Sequence, residues 1–236
     1  MRPASAGRRA GLFVALALAA PAPAQLSFGA SVASDSRLRG HSRSQGRPAA
    51  SASIGYDDAS GLFASGSGTV FLAPGNEGVR WMGGVVALGY AQRLRDGLSV
   101  ELGALRAQYS RASYGRPAGY SELFAGLSGR VLSARIAFSP DYLRPGVAML
   151  YGQVEAVTRP ATDWRLFGHV GALTRLGGMP AFPISATQYD WRAGIGRVAG
   201  KFDLELSLSS GGPDRDYYGQ QMHTKTALVG AVSVAF

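Results

Sequence analysis

The chain has 236 residues, no cysteine, 46% hydrophobic side chains and a formal net charge of +9. Without cysteine it has neither a disulfide framework nor a thiolate metal site, and no run approaches 18 consecutive apolar residues, so helical spanning of a membrane is not expected while barrel spanning stays open. The positive charge does not point to nucleic acid, because Arg2, Arg8 and Arg9 fall at the extreme N-terminus and the other basic residues are scattered instead of forming one stripe.

Those first arginines precede an apolar run from Gly11 to Ala20, and Ala22-Pro23-Ala24 supplies an A-x-A cleavage site. This is the pattern of a secretory signal peptide, with an apolar run of about ten residues that is too short to span a bilayer. It predicts Sec-type export, removal of 1–24 and a single domain over 25–236, where no Pro/Ser-rich linker interrupts the chain.

From Leu26 onward the side chains alternate with the period of a β-strand. Leu26, Phe28, Ala30 and Val32 take one face, and Ser27, Gly29, Ser31, Ala33, Asp35, Arg37 and Arg39 the other, which predicts a first strand running on to Arg39. Further strands are expected at Ala50–Tyr56, Leu62–Val70, Trp81–Tyr90, Leu98–Tyr109, Tyr120–Leu127, Val131–Phe138, Val147–Glu155, Trp164–Ala172, Tyr189–Val198, Lys201–Ser209 and Thr224–Phe236. That makes about 12 strands, each near the length a tilted strand needs to cross hydrocarbon.

Short links such as Asp57-Asp58-Ala59-Ser60, Arg95-Asp96-Gly97 and Val198-Ala199-Gly200 alternate with longer ones, among them Ser36–Arg47, Ser139–Gly146 and Gly211–Gln221. Strict alternation puts both termini with the short turns. The expected fold is therefore an all-β, antiparallel transmembrane β-barrel with periplasmic N- and C-termini, closed so that no strand edge is left unpaired. Phe28, Tyr56, Phe71, Trp81, Tyr90, Tyr109, Tyr120, Tyr142, Trp164, Tyr189, Trp191 and Phe236 fall near strand ends, where interfacial girdles are expected. A soluble exported barrel or sandwich is the rival. Against it, the polar face carries small residues such as Gly29, Ser31, Ala33, Ser207, Ser209, Ala231 and Ser233, which suit a lumen better than a water-facing surface.

The run Ser34-Asp35-Ser36-Arg37-Leu38-Arg39-Gly40-His41-Ser42-Arg43-Ser44, followed by Pro48-Ala49, resembles the N-terminal signature of the TorF family of porins, approximately S-D-Y-R-F-R-G-x-S-x-S. Ser60-Gly61-Leu62-Phe63-Ala64 is similar to that family's S-G-F-Y segment. Ser36 and Leu38 stand where the family has aromatics, and both are expected to face lipid. The resemblance implies a location in the outer membrane of a Gram-negative bacterium and a channel role. Phe236, with Val234, Val232 and Leu228 at even offsets, resembles the terminal strand read by the barrel-assembly machinery, which implies that machinery as a partner and Phe236 as an assembly signal.

In this register the lumen-facing charges are Asp35, Arg37, Arg39, Glu101, Glu122, Arg135, Arg165, Arg192, Lys201, Asp203, Glu205 and Lys225. Mixed signs fit either a wet pore or a set of salt bridges that narrows it. Asp35, Arg37 and Arg39, stacked on the end of strand one, read either as a constriction cluster favouring anions or as a structural ion pair. The loop holding Arg37, Arg39, Arg43 and Arg47 offers guanidinium groups to lipopolysaccharide phosphates and other outer-membrane lipids, or else is an ordinary solvated loop.

No G-x-S-x-G, H-E-x-x-H, P-loop or EF-hand pattern occurs. His41 and His223 lie in or beside loops, and His169 reads as a hydrogen-bonded wall residue, so neither enzyme activity, a metal nor a cofactor is expected. The reading is a porin-like channel for passive diffusion of small hydrophilic solutes, with a closed structural or adhesive barrel as the alternative.

Overall fold

In a computed structural model describing residues 25–75, 77–111, 117–178, 185–214, 216–218, 221–223 and 226–236, the alternation resolves into paired strands. The expected leader, 1–24, and Lys225 lie outside the described residues. Strand β1 (Gln25–Ala33) leaves Leu26, Phe28 and Val32 exposed and turns Ser27, Gly29, Ser31 and Ala33 to the more buried side. After it come two short strands, β2 (Arg37–Leu38) and β3 (His41–Ser42), which pair only with each other. The long strands then follow: β4 (Ala49–Asp57), β5 (Leu62–Leu72), β6 (Val79–Arg95), β7 (Leu98–Tyr109), β8 (Ala118–Ser128) and β9 (Leu132–Ser139). They continue with β10 (Ala148–Ala161), β11 (Trp164–Gly177), β12 (Thr187–Ala199) and β13 (Phe202–Gly212). A second small hairpin, β14 (Asp216–Tyr218) with β15 (Gln221–His223), precedes β16 (Ala227–Ala235).

Twelve of these strands form one closed antiparallel barrel in which each long strand pairs with its chain neighbours and β16 returns to β1. At the seam Phe236 N–H donates to the Phe28 carbonyl at 2.9 Å, which places both ends of the described chain at the short-turn end. Closure leaves no unpaired edge. The outer surface is apolar where a water-facing surface would not be: Leu88 and Leu123 are each 65% exposed, with Leu102, Ile136, Val170 and Leu206 also exposed. The inner face is filled by small residues, charges and aromatic rings.

Inward rings are accommodated by glycines across the ladder. A Cβ on Gly103 would stand 2.5 Å from the Phe124 ring, and one on Gly194 would strike Phe167, so each ring lies flat on its neighbour's backbone.

Three expectations are corrected. β1 ends at Ala33 and does not run on to Arg39, because Arg39 (φ +49°) and Gly40 (φ +76°) turn the chain into the β2–β3 hairpin. Asp35, Arg37 and Arg39 therefore stand on a loop and not on strand one, and Leu38 packs against interior side chains instead of facing lipid. Of the aromatics expected in girdles, Phe71, Tyr109, Tyr120 and Tyr142 are buried inside, where they pack on Met82, Val147 and Met149. Lys201 occupies the β12–β13 turn and is exposed, its ammonium 5.4 Å from the Phe202 ring.

Candidate functional site

The interior is built from ion pairs that step over a strand. Arg165 on β11, Gly196 on β12 and Glu205 on β13 share one row of the ladder. Gly196 has no side chain, so the Arg165 guanidinium crosses it and reaches Asp203 and, at 3.1 Å, Glu205. A Cβ on Gly196 would fall 2.6 Å from Arg165 Cζ. Arg192 completes this network by donating to Glu205 at 2.6 Å. The same device recurs on the far wall, where Arg135 on β9 crosses Gly126 on β8 to bond Glu101 on β7, with Nε at 2.9 Å. These are the carboxylate and guanidinium side chains expected at the lumen, joined in pairs by register.

A third cluster joins His169, expected as a hydrogen-bonded wall residue, to Asp190, Glu155 and Tyr151, which were not expected there. His169 Nε2 lies 2.8 Å from Asp190 and Nδ1 3.2 Å from Glu155, while Tyr151 donates to Asp190 at 3.1 Å across Gly171. Its only signal in the sequence was parity: Asp190 and Glu155 sit on the inward phase of their strands, Asp190 in phase with Arg192.

Above these pairs the first loop folds into the barrel mouth. Asp35 gathers it by accepting from Arg37 at 2.7 Å, Ser42 at 2.6 Å and Ser44 at 2.9 Å. Arg39 then reaches to the opposite wall, donating to Glu122 on β8 at 2.6 Å, with its guanidinium 4.0 Å from the Tyr151 ring centroid and 4.7 Å from that of Tyr142. Buried charge, hydrogen bond and cation–π contact coincide there. Gly40 packs against β13, where a Cβ would meet Gly211 Cα at 2.7 Å. The loop is held from above by Asp216 of the last loop, which lies 2.7 Å from His41 Nδ1, accepts from Ser42 N–H at 3.1 Å and is 3.6 Å from Arg37. Burial pushes the Asp216 carboxyl up, but His41, the Ser42 N–H and Arg37 outweigh it and hold the group below the usual carboxylate range.

Beyond the loop lies a cavity of about 210 Å³, lined by Arg39, His41, Arg43, Tyr142, Arg144 and Gln188 among others. Among the described residues no group of three or more His, Cys, Asp or Glu side chains is arranged to hold a metal ion. Phe236, the expected assembly signal, is exposed at the end of β16. What the arrangement can do chemically is present paired charges and polar rings to water inside a wall whose outside is hydrocarbon-like.

A family model described as a bacterial protein of unknown function (Gcw_chp) matches residues 17–228. No curated protein matches the chain. Among solved structures, a NanC porin aligns with a TM-score of 0.56 at 12% identity, covering 90% of this chain and 99% of that one. A KdgM porin aligns with a TM-score of 0.52 at 10% identity, covering 89% of this chain and 98% of that one, and a second KdgM structure, described as a complex with disordered oligogalacturonate, aligns equally well. At these identities the likeness is one of fold.

Proposed function

The chain belongs to the Gcw_chp family, and from that premise we propose that it is an outer-membrane channel of a Gram-negative bacterium, through which small hydrophilic solutes diffuse passively. The observation that carries this reading is the inversion of the barrel: ionised side chains paired inside, exposed leucines and valines outside. The porin-like barrels it resembles and the TorF-like run at 34–49 support the same reading. Sec-type export of 25–236, insertion by the barrel-assembly machinery through the strand ending at Phe236, and a surround of outer-membrane lipids and lipopolysaccharide belong to the proposal. It involves no catalytic step. The oligogalacturonate described with a KdgM porin makes acidic saccharides sensible first solutes to try.

The test is single-channel conductance of the refolded barrel in a planar bilayer, with reversal potential measured in a salt gradient. Discrete steps are expected. Silence from protein that is folded by heat-modifiability overturns the channel and leaves the second reading, a closed structural barrel. One observation favours that second reading: the first loop crosses the mouth and Arg39 ties it to the far wall.

A further inference from the structure

Arg106 lies on the outward side of β7, in the series Leu98, Val100, Leu102 and Ala104, while its neighbours Leu105 and Ala107 pack inward. Its cross-strand partners are Val86 on β6 and Ser121 on β8. Ala104, one outward step nearer the short-turn end, pairs with exposed Leu88 and Leu123, so the cation borders an apolar surface. Toward the loop end Gln108 pairs with Gly84, and the Trp81 ring covers Gly84 and Gly68. An arginine beside an exposed tryptophan at the upper border of an apolar band has the chemistry of a membrane–water interface.

The guanidinium is oriented and yet has no anion. Nη1 donates to Ser121 Oγ and Nη2 to Gln108 Oε1, both at 3.2 Å, and both partners are neutral. Among the described residues no carboxylate pairs with it, whereas Arg39, Arg135, Arg165 and Arg192 inside the barrel each meet one. A cation on the lipid side is disfavoured increasingly with depth, and an anion drawn from the surroundings relieves that cost.

We propose that Arg106, with Ser121 and Gln108, binds the phosphate of a lipid headgroup in the leaflet at the loop end. The remaining guanidinium N–H groups donate to the phosphate oxygens, the Ser121 hydroxyl and the Gln108 amide add two further donors, and the acyl chains lie against Leu88, Leu102 and Leu123. This apolar flank selects a lipid over free phosphate. The inference rests on the membrane reading, not on conduction. It also moves lipid recognition away from Arg37 and Arg39 of the first loop, whose guanidinium groups are engaged inside the barrel.

The barrel is refolded into phosphatidylcholine vesicles containing increasing phosphatidic acid, and urea unfolding is followed by tryptophan fluorescence. The urea midpoint of the wild type rises with phosphatidic acid, and in Arg106→Gln the concentration needed for the same rise increases about tenfold. Arg106→Lys recovers part of the response. Arg80→Gln, which removes an exposed cation paired with Glu77, responds as the wild type does. The site is overturned if Arg106→Gln and the wild type respond alike, if Arg80→Gln loses as much as Arg106→Gln, or if inorganic phosphate reproduces the shift. Protein that folds but stays outside the vesicles overturns the membrane reading itself. A barrel that inserts and does not conduct leaves the lipid test fully readable.

Discussion

Gly196 shows how much of the interior depends on a residue with no side chain. Arg165, Asp203 and Glu205 could be assigned to one face by parity, and their signs were plain. Their partnership could not be read, because it depends on β12 presenting a glycine in the row that separates them. Gly126 plays the same part between Arg135 and Glu101. Replacing Gly196 by valine should push the Arg165 guanidinium off both carboxylates. Since these side chains keep some access to the lumen, the expected loss of stability is about 1–3 kcal/mol, less than for a fully buried pair. Gly152→Ala is the control: nothing lies within 4 Å of its Cβ position, and its urea midpoint should stay close to that of the wild type. If Gly196→Val unfolds at the same urea concentration as the wild type, the bridging pairs contribute nothing to the barrel.

At the scale of the element, the first loop is where period-two reasoning misled. Asp35, Arg37 and Arg39 continue the alternation of β1 on paper, even though Ser34-Asp35-Ser36 are turn-forming residues and a long link is expected from Ser36. What decides the outcome is tertiary: Gly40 fits flat against Gly211, and Asp216, far along the chain, supplies a carboxylate for His41, Ser42 and Arg37. Asp216→Asn should free the loop, so that trypsin cuts after Arg43 in the folded barrel well before it does in the wild type. Acid should do the same. Because Asp216 is held below its ordinary value of 3.8, it supports docking fully above that value, and the support fades as pH falls through the lowered one. Trypsin is inactive there, so the check is hydrogen exchange of Ser42 N–H, which should stay protected at neutral pH and lose protection in the wild type only once the pH falls below 3.8. Protection that persists to lower pH in both wild type and Asp216→Asn would show the latch to be elsewhere.

For the whole molecule, the barrel was legible because two independent signals agreed: alternation within segments and the regular exchange of short and long connections between them. The twelve strands follow from that agreement. The state of the lumen was not legible, since Phe71, Tyr109, Tyr120 and Tyr142 look like girdle residues in one dimension and turn inward in three. Whether the first loop stands in the conduction path can be decided by removing it. Arg43 N–H donates to the Ser36 carbonyl at 2.7 Å, so residues 37–42 can be excised and the ends joined through glycines without stretching the flanking strands. The variant should remain heat-modifiable and conduct more than the wild type. Its reversal potential should also move toward cation preference, because the deletion takes away Arg37 and Arg39 while Glu122, Asp190 and Glu155 stay in the wall. Unchanged conductance would place the path elsewhere. A rise in conductance without a change in ion preference would mean that the loop obstructs the mouth while its arginines act only to hold it in place.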